Sequence, residues 1–412
     1  MDKEFDLVLV GGEAVTAGEV IRVDIGIKNG SIKEISEDLS ASASYQLLDV
    51  SGRLLLPGVI DVHVHPVYTD DMEACSRVAA YGGTTTIIDF VEAEPNQSLF
   101  EGLSDRRAEA DEKVVIDYGL HMTLAPPDLI KLDELPAIFA AGCTSFKLYM
   151  AYGFRLDDGQ LLRALQAVRE VDGLPIVHAE NWDVICTLIE QNLAAGRTEP
   201  RWHPRSRPEL MEGEAAGRVI NLATLANTPL YIFHVSCGAV VERMVAAQQQ
   251  GLPVYGETCP QYLNLTWDLY ERPGVLGAQP ICSPPLRPQA EQAKLWQALA
   301  NDQLQVVSTD HCPFTSQEKA RGLHDFSQIP GGVPSIEARF SLLYSKGVRQ
   351  GLFSLNRWVE ICCTTPAKLF GLSQKGVIAP GYDADLVVFD PDQTVVLSPN
   401  FLHENVDWTP YD

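Results

Sequence analysis

The chain has 412 residues, 46% hydrophobic and 21% charged, with a formal net charge of −24 at pH 7. That balance excludes a disordered chain, and the acidic surplus argues against a nucleic-acid partner, because a phosphate backbone calls for clustered Lys and Arg. A chain of this length can bury one large core and a smaller one.

The N-terminus, MDKEFDLVLVGG, lacks a basic stretch followed by an apolar core and cleavage site, so no signal peptide is expected. No apolar run approaches the ~20 residues that cross a bilayer, so no membrane partner is expected. Nine cysteines occur without a CxxC pair, and adjacent Cys362 and Cys363 suggest no clip. Reduced thiols and a cytoplasmic location are expected.

Residues 1–56 hold short alternating segments: DLVLVGG, VIRVDIGIKNG, SIKEI and YQLLDVSGRLLL. Gly11-Gly12, Asn29-Gly30 and Ser51-Gly52 are turn signals between them, so an antiparallel β unit is predicted. The same flavour returns in KGVIAPGYDADLVVFDP and QTVVLSP. The prediction is a small β-sandwich domain built from both termini, residues 1–56 and 372–412, around a larger domain at 57–371.

Within 57–371 short apolar strands alternate with helical stretches. The strands are VIDVHVH, GTTTIIDF, IDYGLHMTL, CTSFKLYM, LPIVHAE, TPLYIFHVS, LPVYGETCP and QVVSTDHCP. Amphipathic segments such as DDMEACSRVAAY, LLRALQAVREV and GAVVERMVAAQQQ lie between them. Alternation of this kind makes parallel βα units. Eight of them suit an α/β fold of the (β/α)8 TIM-barrel type, with its site at the C-terminal strand ends. The competing fold is an open doubly wound sheet, which the lack of GxGxxG after a first strand disfavours.

The strand ends carry the chemistry. His63 and His65 are two apart, so on a strand they share a face and can grip one metal ion. Strand four carries Lys147, strand five His178, strand six His234 and strand eight Asp310. Ser145, Lys147 and Tyr149 share one face, and a lysine facing a barrel interior needs a partner or a chemical change. A neutral lysine can take up CO2, and the resulting carbamate has two oxygens able to bridge two cations. His178 and His234 interrupt their apolar runs at equivalent places. A buried Asp310 needs a cation or several donors. Four imidazoles, one carbamate and one carboxylate are enough for two divalent ions, zinc being the best match. Such a pair can activate water and polarise a carbonyl, which is hydrolytic chemistry. His121 and His311 are read as structural, while His203, His324 and His403 receive no assignment.

The motifs GVIDVHVH, GGTTTIIDF, SFKLYMAY, IVHAEN, FHVSCGAVVE, YGETCPQYL, CSPPLR, STDHCPF, SLNRWVEICCTTPAKLFGL and KGVIAPGYDADLVVFDP together resemble the dihydropyrimidinase/hydantoinase family of the amidohydrolase superfamily. The resemblance covers nearly the whole chain. It implies a binuclear hydrolase that opens the cyclic amide of dihydropyrimidines or 5-substituted hydantoins to N-carbamoyl amino acids, with a role in pyrimidine degradation. It would place His63, His65 and Asp310 on the first metal and His178 and His234 on the second, with carboxylated Lys147 as the bridge. It further implies Asp310 as base and then acid, Tyr152 as a hydrogen-bond donor to the oxyanion, and Ser283 touching the ring through its backbone. Gly331 stands where relatives have Asn, and a backbone contact there survives the change. A homo-oligomer, dimer or tetramer, is expected.

Two departures stand out. The stretch PVYTDDMEA after His65 is shorter than its usual counterpart and leaves the pocket wall in question. The chain stops at NVDWTPYD where relatives continue, so a shortened small domain is expected. Among alternatives, dihydroorotases carry an Arg in HxHxR, where this chain has Pro66 and Val67. Allantoinases tend to have a His where Gln261 stands, and the non-catalytic scaffold relatives lack the ligand set that is complete here.

Overall fold

Alternation at the N-terminus folds into β1 (Phe5–Val15), β2 (Val20–Lys28), β3 (Ser31–Ser36), β4 (Ser44–Asp49) and β5 (Leu54–Pro57). The structure is a computed structural model and describes residues 3–412. A strand from far along the chain, Leu386–Phe389, pairs antiparallel with β5 and completes a six-stranded sheet. β1 organises it, pairing β2 on one side and both β4 and β5 on the other. Its register with β2 shifts between Leu9 and Gly12. Gly11 there has a φ of +80°, and a Cβ would fall 2.4 Å from the Ser51 hydroxyl oxygen, so the bulge requires glycine. Leu9, Val23, Ile25, Ile32, Leu55 and Ile378 bury the sheet's inner face. QTVVLSP does not join the sheet: no strand forms there, and Val396 is 82% exposed. β propensity alone does not make a strand without pairing.

The eight predicted strands of the large unit are all present. They are β6 (Val59–Asp61), β7 (Thr84–Val91), β8 (Asp117–Thr123), β9 (Ser145–Tyr149), β10 (Leu174–His178), β11 (Leu230–Ile232), β12 (Val254–Thr258) and β13 (Val306–Val307). They pair in sequence order and in parallel, a TIM-type barrel. Several are shorter than their apolar runs, because the last residues of each run turn away into the loops at the barrel mouth.

Helices cover the outside. Asp158–Glu170 shows the logic: Asp157 caps it in a capping box, and Leu161, Ala164, Leu165 and Val168 form its buried stripe. The seam between β6 and β13 closes by side chains rather than by a ladder. Arg339, fully buried, donates to the Ile60 carbonyl (3.0 Å) and the Val307 carbonyl (2.8 Å) and lies 3.7 Å from Asp61. Asp61 in turn accepts from the Thr309 amide (3.1 Å) and hydroxyl (2.7 Å). Further out, the His65 amide donates to the His311 carbonyl at 2.9 Å. This clasp brings the segment after β6 against the segment after β13. Inside the barrel, Ile60, Ile88, Phe90, Ile176, Tyr231 and Phe233 pack into an apolar floor below the mouth.

Candidate metal centre

The residues singled out in the sequence gather above that floor. His63 and His65 follow β6, Lys147 lies in β9, His178 ends β10, His234 follows β11 and Asp310 follows β13. All six line one cleft of about 1040 Å³, together with Tyr152, Ser283 and Gly331. Three of them hold unusual backbone: φ is 40° at His234, 52° at Asp310 and 71° at Tyr152. Left-handed conformations at non-glycine residues cost about 1–3 kcal/mol each and persist where the surroundings impose them. Their concentration here aims three functional side chains inward.

His63 Nε2 lies 3.2 Å from His65 Nε2 and 3.1 Å from Asp310 Oδ1, and His65 Nε2 is 3.2 Å from the same oxygen. Two ring nitrogens and a carboxylate oxygen therefore converge on one point, the donor set of a divalent cation. Burial works against a charged His63, but the Asp310 and Glu257 carboxylates prevail and raise its pKa. Burial also opposes ionisation of Asp310, yet His63 and His65 hold its carboxyl well below the usual range.

The second pair sits beside the first. The rings of His178 and His234 are 4.5 Å apart, and those of His63 and His234 are 5.4 Å apart. Burial keeps both His178 and His234 below the usual histidine pKa, which favours the neutral imidazole that a metal ion would require. His234 Nδ1 is buried with no hydrogen-bond partner. A buried polar atom without a partner is costly, and coordination of a metal ion would remove that cost.

Lys147 is 1% exposed and forms no ion pair among the described residues. Its Nζ lies 3.9 Å from the Phe233 ring centroid, 4.8 Å from that of Tyr149 and 5.4 Å from that of Phe90. Burial pushes its pKa down to about 7, against the pull of Asp310, Glu257 and Glu92. A neutral amine is the form that reacts with CO2, so the environment fits carboxylation. The donor set as a whole fits two divalent ions.

Behind the ligands stand residues that the sequence reading missed. Glu257, in β12, has Oε1 2.6 Å from His63 Nδ1 and Oε2 accepting from the Tyr231 hydroxyl at 2.9 Å. Glu180 lies 2.8 Å from His178 Nε2 and accepts from Arg207 at 2.5 Å. A carboxylate on the far ring nitrogen fixes tautomer and orientation and raises ligand basicity. Glu180 left a signal, since it follows His178 by two residues as His65 follows His63. Glu257 left only an acidic residue inside an apolar run. Replacing Glu257 by Gln is expected to weaken metal binding by about 10–100-fold, read as the concentration of competing chelator that strips the protein.

His121 is a satisfied core histidine, with Ser145 Oγ at 2.6 Å and the Val62 carbonyl at 2.8 Å. His311 is likewise structural, held by Asp70 at 2.9 Å and by the Ser335 amide at 3.1 Å. His203 donates to the Cys282 carbonyl at 2.8 Å, beside Ser283. A separate acidic trio, Asp117, Asp383 and Asp385, surrounds the Lys375 ammonium, which pairs with all three.

Comparison with known proteins agrees with this geometry. The family model described as the Amidohydrolase family matches residues 54–409. A D-hydantoinase of Streptomyces coelicolor is 44% identical over 98% of this chain and 90% of its own length. The crystal structure of a dihydropyrimidinase from Brevibacillus agri superposes with a TM-score of 0.96 at 42% identity, covering 98% of this chain and 90% of that one. An L-hydantoinase (dihydropyrimidinase) from Arthrobacter aurescens gives 0.93 at 31% identity, covering 99% and 92%. The chain belongs to the amidohydrolase family, in its hydantoinase and dihydropyrimidinase branch.

Proposed function

We propose that this protein hydrolyses the cyclic amide bond of 5-substituted hydantoins or dihydropyrimidines, giving N-carbamoyl amino acids. The observation that carries the reading is the convergence of His63, His65, Lys147, His178, His234 and Asp310 in one cleft. In this reading His63, His65 and Asp310 hold one divalent ion and His178 and His234 the other, with Lys147, carboxylated by CO2, between them. Zinc suits the imidazole and carboxylate donors. When bound, the two ions supply a nucleophile at neutral pH and Lewis acidity toward a carbonyl.

The rest is done by the chain. Ser283 and Gly331 meet at the cleft wall, where a Cβ on Gly331 would lie 3.8 Å from Ser283 Oγ. Their backbone groups orient the ring. Burial raises the Tyr152 pKa, so its phenol keeps its proton and donates to the carbonyl oxygen as charge develops there. Asp310 takes a proton from the attacking water and delivers it to the ring nitrogen as the C–N bond breaks. Glu257 and Glu180 hold their histidines still throughout.

The cleft rim bears Val67, Tyr68 and Phe154, apolar and exposed. That favours an apolar or aromatic group at the ring's substituted carbon. Pro66 and Val67 offer no cation to a ring carboxylate, which argues against a dihydroorotate-like substrate. All nine cysteines are free, and no helix is long and apolar enough to cross a membrane. Free thiols suit a reducing, cytoplasmic setting, and the proposed substrates suit a role in pyrimidine degradation. A homo-oligomer, and a division into domains at 1–56 with 372–412 and at 57–371, complete the proposal.

The test is ring opening of 5-phenylhydantoin, dihydrouracil and allantoin, compared on metal-replete protein. The expected result is turnover of the first two well above allantoin. A clear preference for allantoin would make the protein an allantoinase, and no turnover of any of them would favour a scaffold.

A further inference from the structure

Lys319 is fully buried in the short helix Ser316–Ala320, behind the cleft wall. Its ammonium donates to the carbonyls of Ile281 (2.8 Å), Pro330 (2.7 Å) and Gly332 (2.7 Å). All three donors are used, and no carboxylate pairs with them among the described residues. A buried cation held by backbone dipoles and the ring faces of Phe314 (5.5 Å) and Trp408 (6.0 Å), with no carboxylate, is expensive, and burial pushes the Lys319 pKa down to about 7. Its three partners are not scattered. Pro330 and Gly332 flank Gly331, and Ile281 lies two residues before Ser283. The Gly332 amide also donates to the Ile281 carbonyl at 2.9 Å, so the two segments are zipped through one oxygen. Gly332 has a φ of 149°, and a Cβ there would fall 2.3 Å from the Cys312 carbonyl, so the zip needs glycine.

Ser283 and Gly331 both line the cleft. Among the described residues the N–H and C=O of Gly331 and of Ser283 have no backbone partner. A cyclic ureide presents an N–H beside a C=O, and Gly331 presents the complementary pair. The Pro330 carbonyl belongs to the peptide whose N–H is that of Gly331. An ammonium on that carbonyl polarises the peptide and strengthens the donor. The Gly331 carbonyl belongs to the peptide whose N–H is donated to Ile281, which polarises the acceptor in the same way.

We propose that Lys319 is a positioning residue for substrate: through three carbonyls it fixes the two segments that carry Gly331 and Ser283, and through the Pro330 carbonyl it polarises the Gly331 N–H that grips the ring. The inference rests on the proposed ring-opening activity for its substrate. It reaches the ring only through backbone, and the contacts it supports exist before and during the reaction. Loss of such uniform binding raises KM and leaves kcat.

The experiment compares wild type with Lys319→Met and Lys319→Gln on 5-phenylhydantoin, with metal content and hydrogen–deuterium exchange of the 328–333 segment measured on the same samples. Lys319→Met is expected to raise KM by about tenfold or more, with kcat and metal content near wild type and faster exchange in that segment. Lys319→Gln, which keeps two donors, is expected to lie between and serves if the Met variant does not fold. Wild-type KM and exchange in either folded variant, or a loss confined to kcat or metal, overturns the proposal. Failure of wild type to open the ring would instead sink the assigned activity, and the exchange result would still decide whether Lys319 pins the loop.

Discussion

Alanine at Lys147 is expected to reduce kcat about a thousandfold or more, since the proposed bridge between two cations would supply ~4 kcal/mol of transition-state stabilisation. Metal content should fall with it, from two equivalents toward one. The fold should survive. The substitution opens a cavity among Phe90, Tyr149 and Phe233, but it also removes an amine that burial has already driven down to about 7. Those two effects oppose each other in stability. The cavity left behind is the size of a small carboxylic acid, so acetate or propionate should restore part of the activity if a carboxylate is what the site lacks. Elemental analysis and kinetics on one sample check the prediction. A variant that kept both metals and full activity would end the carbamate assignment.

The candidate site residues were legible because each interrupts an apolar run. Histidines at 63, 65, 178 and 234 and Asp310 stand at or beyond the end of a strand that would otherwise be core, and Lys147 stands in the middle of one. Chemistry placed where packing should be is visible without a structure. The barrel itself followed from counting alternations. What stayed hidden was pairing over distance. Glu257 meets His63 across 194 residues, and no local pattern says which carboxylate stands behind which imidazole. Arg339 reaches Ile60 across 279 residues to close the barrel seam, a task invisible in the helical segment that carries it. Lys319 sits in SQEKA, among the polar neighbours of an ordinary surface lysine. Only the fold shows that the loop around it turns three carbonyls inward. In the small sheet, the apolar QTVVLSP segment had the composition of a strand, but composition does not say whether a segment will pair.

Asn at Asp310 is expected to lower kcat by about 10²–10⁴, the range for loss of a positioned general base, while leaving the protein folded. The choice of Asn follows from the backbone. With φ at 52°, alanine would add left-handed strain, whereas Asn tolerates that region as Asp does. The loss should fall on kcat because the carboxylate divides its work. Oδ1 faces His63 and His65 at 3.1 and 3.2 Å, and Oδ2, with no partner among the described residues, is left for the proton in flight. No other carboxylate in the cleft is placed to substitute. Glu180 is committed to His178 and Arg207, and Asp89 to Arg106 at 2.6 Å. Glu92 and Glu190 stand exposed at the mouth. An amide also makes a poorer metal ligand, so the measurement belongs at saturating metal, where occupancy no longer limits the rate. Under those conditions a variant with wild-type kcat would move the proton transfer to another group, and Glu92 would be the next residue to replace.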